Sequence, residues 1–217
     1  MIPRLPNPPL HESIAELPEG ELVRRLLADP YTRDFLFGIK GMPDAARVLQ
    51  RTDLRNAPGR FAGDADLILV APDHPEAAVA FEVKRVKVGA SAFESGQPNK
   101  LREYDKAVGQ ANRLADVGFS QVYLYVIVVV DSRIRNDGRY TYDGLTPELD
   151  GVIRGVLSLE HLLPRVGLVI HEFVQPMDHP PLVLGTYGGH LERAATPVPQ
   201  GADLTEWIAQ LLKHEAA

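Results

Sequence analysis

The chain has 217 residues, 45% hydrophobic and 24% charged, with a formal net charge of −6. That composition suits a globular chain with one well-filled core and excludes a protein that coats nucleic acid through diffuse positive charge, because phosphate contacts need clustered Lys and Arg. There is no cysteine, which excludes disulfides and thiolate metal sites and suits a reducing cytoplasm.

In chain order, residues 1–11 read as a proline-rich arm with no apolar signal core, and residues 12–217 as one domain. Its core spans about 12–130, and strands and a helix follow over 131–217. Helical spacing begins near Glu12, is clearest from Glu21 to Leu27, and should stop at Pro30. A short helix is expected over Tyr31 to Phe37 and a first strand over Val48 to Thr52, with a turn at Asn56 to Gly59. Two further strands, Asp66 to Ala71 and Val79 to Val88, are joined by a proline-rich loop. Apolar positions recur at helical spacing from Leu101 to Ala115, and Gly118 stands where a helix-ending glycine belongs. Val122 to Val130, apolar on both faces, predicts a central strand covered by helices on either side. This run is too short to cross a bilayer. Neither membrane insertion nor secretion is expected, and a cytoplasmic location is. A helix over Thr146 to Leu159, strands over Val166 to Val174 and Leu182 to Thr186, and an amphipathic helix over Asp203 to Lys213 complete the prediction. Tyr187 to His190, with Arg193 beyond, reads as a surface turn, and His171 as a core or edge residue.

The chemistry concentrates in Asp66, Glu82 and Lys84. Glu82 and Lys84 are two apart on one strand and share a face, so Asp66 meets them only if the neighbouring strand pairs in a register that sets it opposite one of them. Two carboxylates can hold a hard divalent cation, and an ammonium beside them can hold or polarise an attacking water, as base or as electrostatic clamp. The structural alternative is an ordinary surface pair with Asp66 capping a strand. Charges interrupting an apolar strand are costly without a partner or a function, which favours a site. A glycosidase-like carboxylate pair would leave Lys84 without a role. On the following helix, Lys106, Gln110 and Arg113 lie along one side, with Lys100 before them, as candidate phosphate contacts.

The order helix, strand, strand, strand, helix, strand, with Asp66 on the second strand and Glu82-Val83-Lys84 on the third, resembles the PD-(D/E)XK nuclease superfamily of restriction enzymes, Holliday-junction resolvases and RecB-like nucleases. The resemblance covers residues 12–130; Ala65 replaces the motif's proline, and Asp64 is a second-ranked substitute for Asp66. It implies an α/β restriction-endonuclease-like core, a central mixed sheet flanked by helices on both faces, with a C-terminal extension. It further implies a nuclease in which Asp66 and Glu82 bind Mg²⁺ or Mn²⁺ and Lys84 orients or activates water. Gln110 and an acidic residue of the first helix, Glu21 ahead of Glu16 and Glu12, complete the implied site. DNA is the favoured partner, and homodimerisation a further expectation, since many such nucleases dimerise to cut two strands. The alternative is a catalytically silent nucleic-acid-binding or assembly module that keeps the fold.

Overall fold

The computed structural model describes residues 17–38, 42, 46–58, 63–98, 103–131, 145–157, 159–175 and 185–214. The N-terminal arm, Glu12, Glu16, Lys100 and the start of the strand expected at Leu182 lie outside the described residues.

Helix α1, Glu19–Ala28, buries Leu22, Val23 and Leu26 at the spacing of one helical stripe. It ends at Asp29, whose carboxylate accepts hydrogen bonds from the Thr32 N–H and hydroxyl. Asp29 thereby caps helix α2, Pro30–Gly38. Pro30 both bars continuation of α1 and opens α2, because a proline at the first helical position gives up an N–H that has no partner there.

Strands β1 (Arg47–Asp53), β2 (Asp64–Val70) and β3 (Val79–Val88) run antiparallel in succession. After β3 come a short helix, α3 (Ala90–Ser95), and then α4 (Tyr104–Val117), which Gly118 closes with a left-handed φ of 98°. Strand β4 (Gln121–Asp131) lies parallel to β3 and to β5 (Val166–Gln175), and β6 (Gly185–Arg193) returns antiparallel to β5. Helix α5, Pro147–Val156, links β4 to β5 and is capped by Thr146, whose hydroxyl accepts the Leu149 N–H. Helix α6, Ala202–His214, ends the described chain.

The result is an α/β fold with one six-stranded mixed sheet in the order β1-β2-β3-β4-β5-β6. Helices α1 and α2 cover one face, packing on Leu67, Phe81, Tyr125 and Phe173. Helices α4, α5 and α6 cover the other, over Ile68, Val86, Val126 and Ile170. Strand β4, paired on both edges and covered on both faces, is buried from Val122 to Asp131, which is why its sequence shows no polar alternation. The C-terminal strands β5 and β6 extend the same sheet. Trp207 packs with α6 against the α4-side core, as its spacing with Leu204 and Ile208 predicts.

Two local readings change. Tyr187 to His190 belongs to strand β6, not to a surface turn, and Arg193 is fastened by hydrogen bonds to the carbonyls of Leu162, Leu163 and Val166. Gly189 is required there because a Cβ would lie 2.5 Å from the Phe35 ring. Helix α3 was not expected at all. Among the described residues, no helix is long and apolar enough to cross a membrane.

Candidate functional site

The bridged register of β2 and β3 sets Leu67 opposite Phe81 and Ile68 opposite Ala80; carried one residue further it sets Asp66 opposite Glu82. The ladder stops at that point. On the other side of β2, Gln50 of β1 pairs with Leu67 and Thr52 with Ala65, while Arg51 and Asp66 between them form no bridge. Arg51 has a φ of 47°, a left-handed conformation that costs a non-glycine residue roughly 1–2 kcal/mol. The face alternation of β2 slips at the same place. Leu67 lies in the α1-side core, yet Ala65, two residues away, packs with Leu49 and Ile68 on the α4 side.

This break turns the Asp66 carboxylate into the gap between β2 and β3, where Oδ2 accepts the Val83 N–H at 2.7 Å. Asp66 lines a cavity of about 300 Å³ on the α1 side together with Pro18, Glu19, Gly20, Val23, Gln50, Arg51 and Val83. Burial, joined by the charge of Glu19, raises the Asp66 pKa, and the Val83 hydrogen bond opposes that shift.

Glu82 is only 7% exposed, and its carboxylate accepts no hydrogen bond from the described residues. Burial, then the like charge of Asp66, pushes its pKa up to about 8, against the weaker pull of Lys84 and Arg113. Asp66, Glu82 and Glu19 are therefore electrostatically coupled carboxylates with too little positive charge around them. Lys84, on the α4 side, is bound through Nζ to Glu103 at 2.7 Å, just ahead of α4.

On α4, Arg113 contributes its charge to Glu82, Gln110 is half-buried, and Lys106 is exposed. Glu103, the residue before α4, holds Lys84, and Arg113 within α4 lies near enough for its charge to act on Glu82. Glu21 is engaged elsewhere: Arg24 and Arg25 both bond to its carboxylate, and those bonds hold its pKa down to about 2. The helix-one carboxylate that reaches the cavity is Glu19. Helical periodicity could not separate the two, but Pro18, which fixes where α1 begins, is the sequence signal that would have placed Glu19 at the helix mouth. Asp64 is exposed, pairs with Asp53 across the β1 ladder and stands apart from the cavity. Arg85 is buried on the opposite face from Lys84, where its guanidinium donates to the Leu17 carbonyl. His171 is a core residue of the α2 side, its Nδ1 within 3.0 Å of the Tyr125 hydroxyl and its ring against Phe173 and Phe35.

Among the described residues, no cluster of three or more His, Asp or Glu is gathered closely enough to hold a metal ion. No family model and no curated protein matches this sequence. The functional reading therefore rests on the geometry of Asp66, Glu82 and Lys84 and on the resemblance of their spacing.

Proposed function

We propose that this protein is a divalent-metal-dependent nuclease that hydrolyses phosphodiester bonds, with DNA the favoured substrate. The observation that supports it most is the break at Asp66. Beside an interrupted ladder the Asp66 carboxylate is held on the Val83 N–H, near enough for its charge to raise the pKa of the buried Glu82, which Lys84 and Arg113 offset only in part. Proteins rarely retain such an arrangement unless a cation or a reaction uses it.

The donor set fits Mg²⁺ or Mn²⁺. Both donors are carboxylate oxygens, and Mg²⁺ commonly takes one or two protein carboxylates and keeps several waters. Asp66 and Glu82 would hold the ion. When bound, it neutralises charge that builds on the non-bridging and leaving oxygens of the phosphodiester. The chain's own residues supply the rest. The Val83 N–H fixes the Asp66 carboxylate in the strand gap, and the burial of Glu82 limits water around its carboxylate. Once a phosphate competes with Glu103 for its ammonium, Lys84 orients the attacking water. Arg113, and Gln110 beside it on α4, face the approaching backbone phosphates.

The second reading, a catalytically silent nucleic-acid-binding or assembly module on the same fold, is favoured by one observation: the Lys84 ammonium is already ion-paired with Glu103. The experiment that separates the two is incubation of wild type and Lys84→Ala with linear, circular, single-stranded and branched DNA, and with RNA, in Mg²⁺ or Mn²⁺. The nuclease reading expects cleavage by wild type alone, abolished by EDTA. The module expects retention of the nucleic acid without cleavage by either protein.

A further inference from the structure

Arg51 occupies an unusual place. It sits inside a β-strand with a left-handed φ of 47°, a backbone region that an arginine enters only when its surroundings impose it. Strands β1 and β2 pair on either side of it but not through it, so no ladder hydrogen bond explains the conformation. The side chain is exposed at the rim of the cavity that Asp66 lines, where its charge acts on the Asp66 carboxylate without a hydrogen bond or a direct ion pair among the described residues. Gln50, also exposed, stands next to it on the rim, as does the exposed Pro18, while the buried Val23 and Val83 form the floor.

We propose that this cavity is a subsite for one unpaired nucleotide next to the bond that is cut, with Arg51 pairing with its phosphate. The proposal rests on the nuclease reading for the position of that bond. A guanidinium presents a planar fork of N–H donors that matches the oxygens of a phosphate, which a lysine ammonium does not. The cavity's volume of about 300 Å³ is at the small end of ligand sites and admits a single nucleotide, not a base pair. Its apolar floor suits the flat face of a base, and the Gln50 amide at the rim offers both a donor and an acceptor to a base edge. The substrate class that fits is therefore a single strand or a frayed end. The carboxylates of Glu19 and Asp66 line the same cavity, so phosphate binding needs a bound cation to offset them.

The left-handed backbone makes the test unusually clean. Glycine adopts this conformation without strain, so Arg51→Gly removes the cation while leaving the fold as stable as before or slightly more so. Binding of a short labelled single-stranded oligodeoxynucleotide is followed by fluorescence anisotropy in Ca²⁺ at several salt concentrations, with thermal unfolding measured alongside. For Arg51→Gly the expected result is an unchanged or raised melting temperature, affinity weakened about tenfold, and a salt slope smaller by roughly one phosphate contact. Arg51→Lys keeps the slope and recovers part of the affinity. Wild-type affinity and slope in Arg51→Gly would overturn the proposal, as would a weakened affinity that merely follows a lowered melting temperature. Cleavage by wild type in Mn²⁺ is measured in parallel. Cleavage with no Arg51→Gly binding defect removes the subsite alone, whereas an Arg51→Gly defect without cleavage removes the nuclease reading and leaves the nucleotide site standing.

Discussion

Replacing Glu82 by glutamine should stabilise the metal-free protein, and by an amount that grows with pH. Glu82 is raised from an ordinary 4.5 to about 8 in the folded chain, chiefly by burial and then by the charge of Asp66. Between those values the unfolded carboxyl is ionised and the folded one protonated, so folding takes up a proton and wild-type stability falls as pH rises, levelling off above 8. At about 1.4 kcal/mol per pH unit, the advantage of the Glu82→Gln variant widens by roughly 2–3 kcal/mol from pH 5 to pH 7. Comparing the variant with wild type across pH, and not at one pH, cancels the constant difference between burying an amide and a neutral acid. Urea unfolding in EDTA at several pH values, with linear extrapolation to water, measures it. A stability gap that stays constant from pH 5 to pH 8 would refute the reasoning, since it would mean that Glu82 ionises in the folded protein as easily as in the unfolded one. Adding Mn²⁺ should raise the wild-type melting temperature and leave that of the variant nearly unmoved.

Other consequences are open to the same instruments. Burial holds the His171 pKa down to about 4, against an ordinary 6.5, so the unfolded state binds a proton that the folded state does not. The His171 contribution should accordingly fall by about 3 kcal/mol as pH drops from 6.5 toward 4, a range over which Glu82 acts in the opposite sense. It is therefore the difference in unfolding free energy between wild type and His171→Gln that should change by that amount in urea titrations. Phe81 is fully buried and stacked on Tyr123 with ring centroids 5.4 Å apart. Phe81→Ala should lower the free energy of unfolding by about 3–5 kcal/mol in denaturant titration. Thr146→Ala, which leaves the Leu149 N–H without its cap, should cost about 1 kcal/mol and leave activity unaltered in a cleavage assay.

The sheet was readable because its strands obey simple rules. Strand β3 falls where the apolar run from Val79 to Val88 predicts it, and β4 is apolar on both faces because it is parallel-paired and covered on both. Gly118 closes α4 through the left-handed conformation that glycine offers cheaply. Strand β6 was misread because Gly188 and Gly189 suggest a turn by local preference, whereas tertiary packing of Phe35 against the strand demands a residue without a Cβ. In the site, the Leu67 to Phe81 register carried one residue on sets Asp66 opposite Glu82, but the ladder forms no bridge there, and the hydrogen bond from the Val83 N–H to the Asp66 carboxylate was not legible in the sequence. The β1 ladder is interrupted at the same place by Arg51, and nothing in an arginine's own preferences marks a left-handed φ. The difference between Glu19 and Glu21 is likewise tertiary. Both are acidic residues of the first turn of α1, and only the arginines one turn on, Arg24 and Arg25, decide which carboxylate is taken up locally.

The proposed role of Lys84 beside Asp66 and Glu82 is addressed most directly by a time course of DNA cleavage in Mn²⁺ by wild type and Lys84→Ala. It predicts metal-dependent cleavage by wild type, quenched by EDTA, and a loss of at least about 100-fold in the Lys84→Ala variant, the scale expected when a group that orients or deprotonates the attacking water is removed. Equal rates in the two proteins, or the absence of cleavage by wild type, would contradict it.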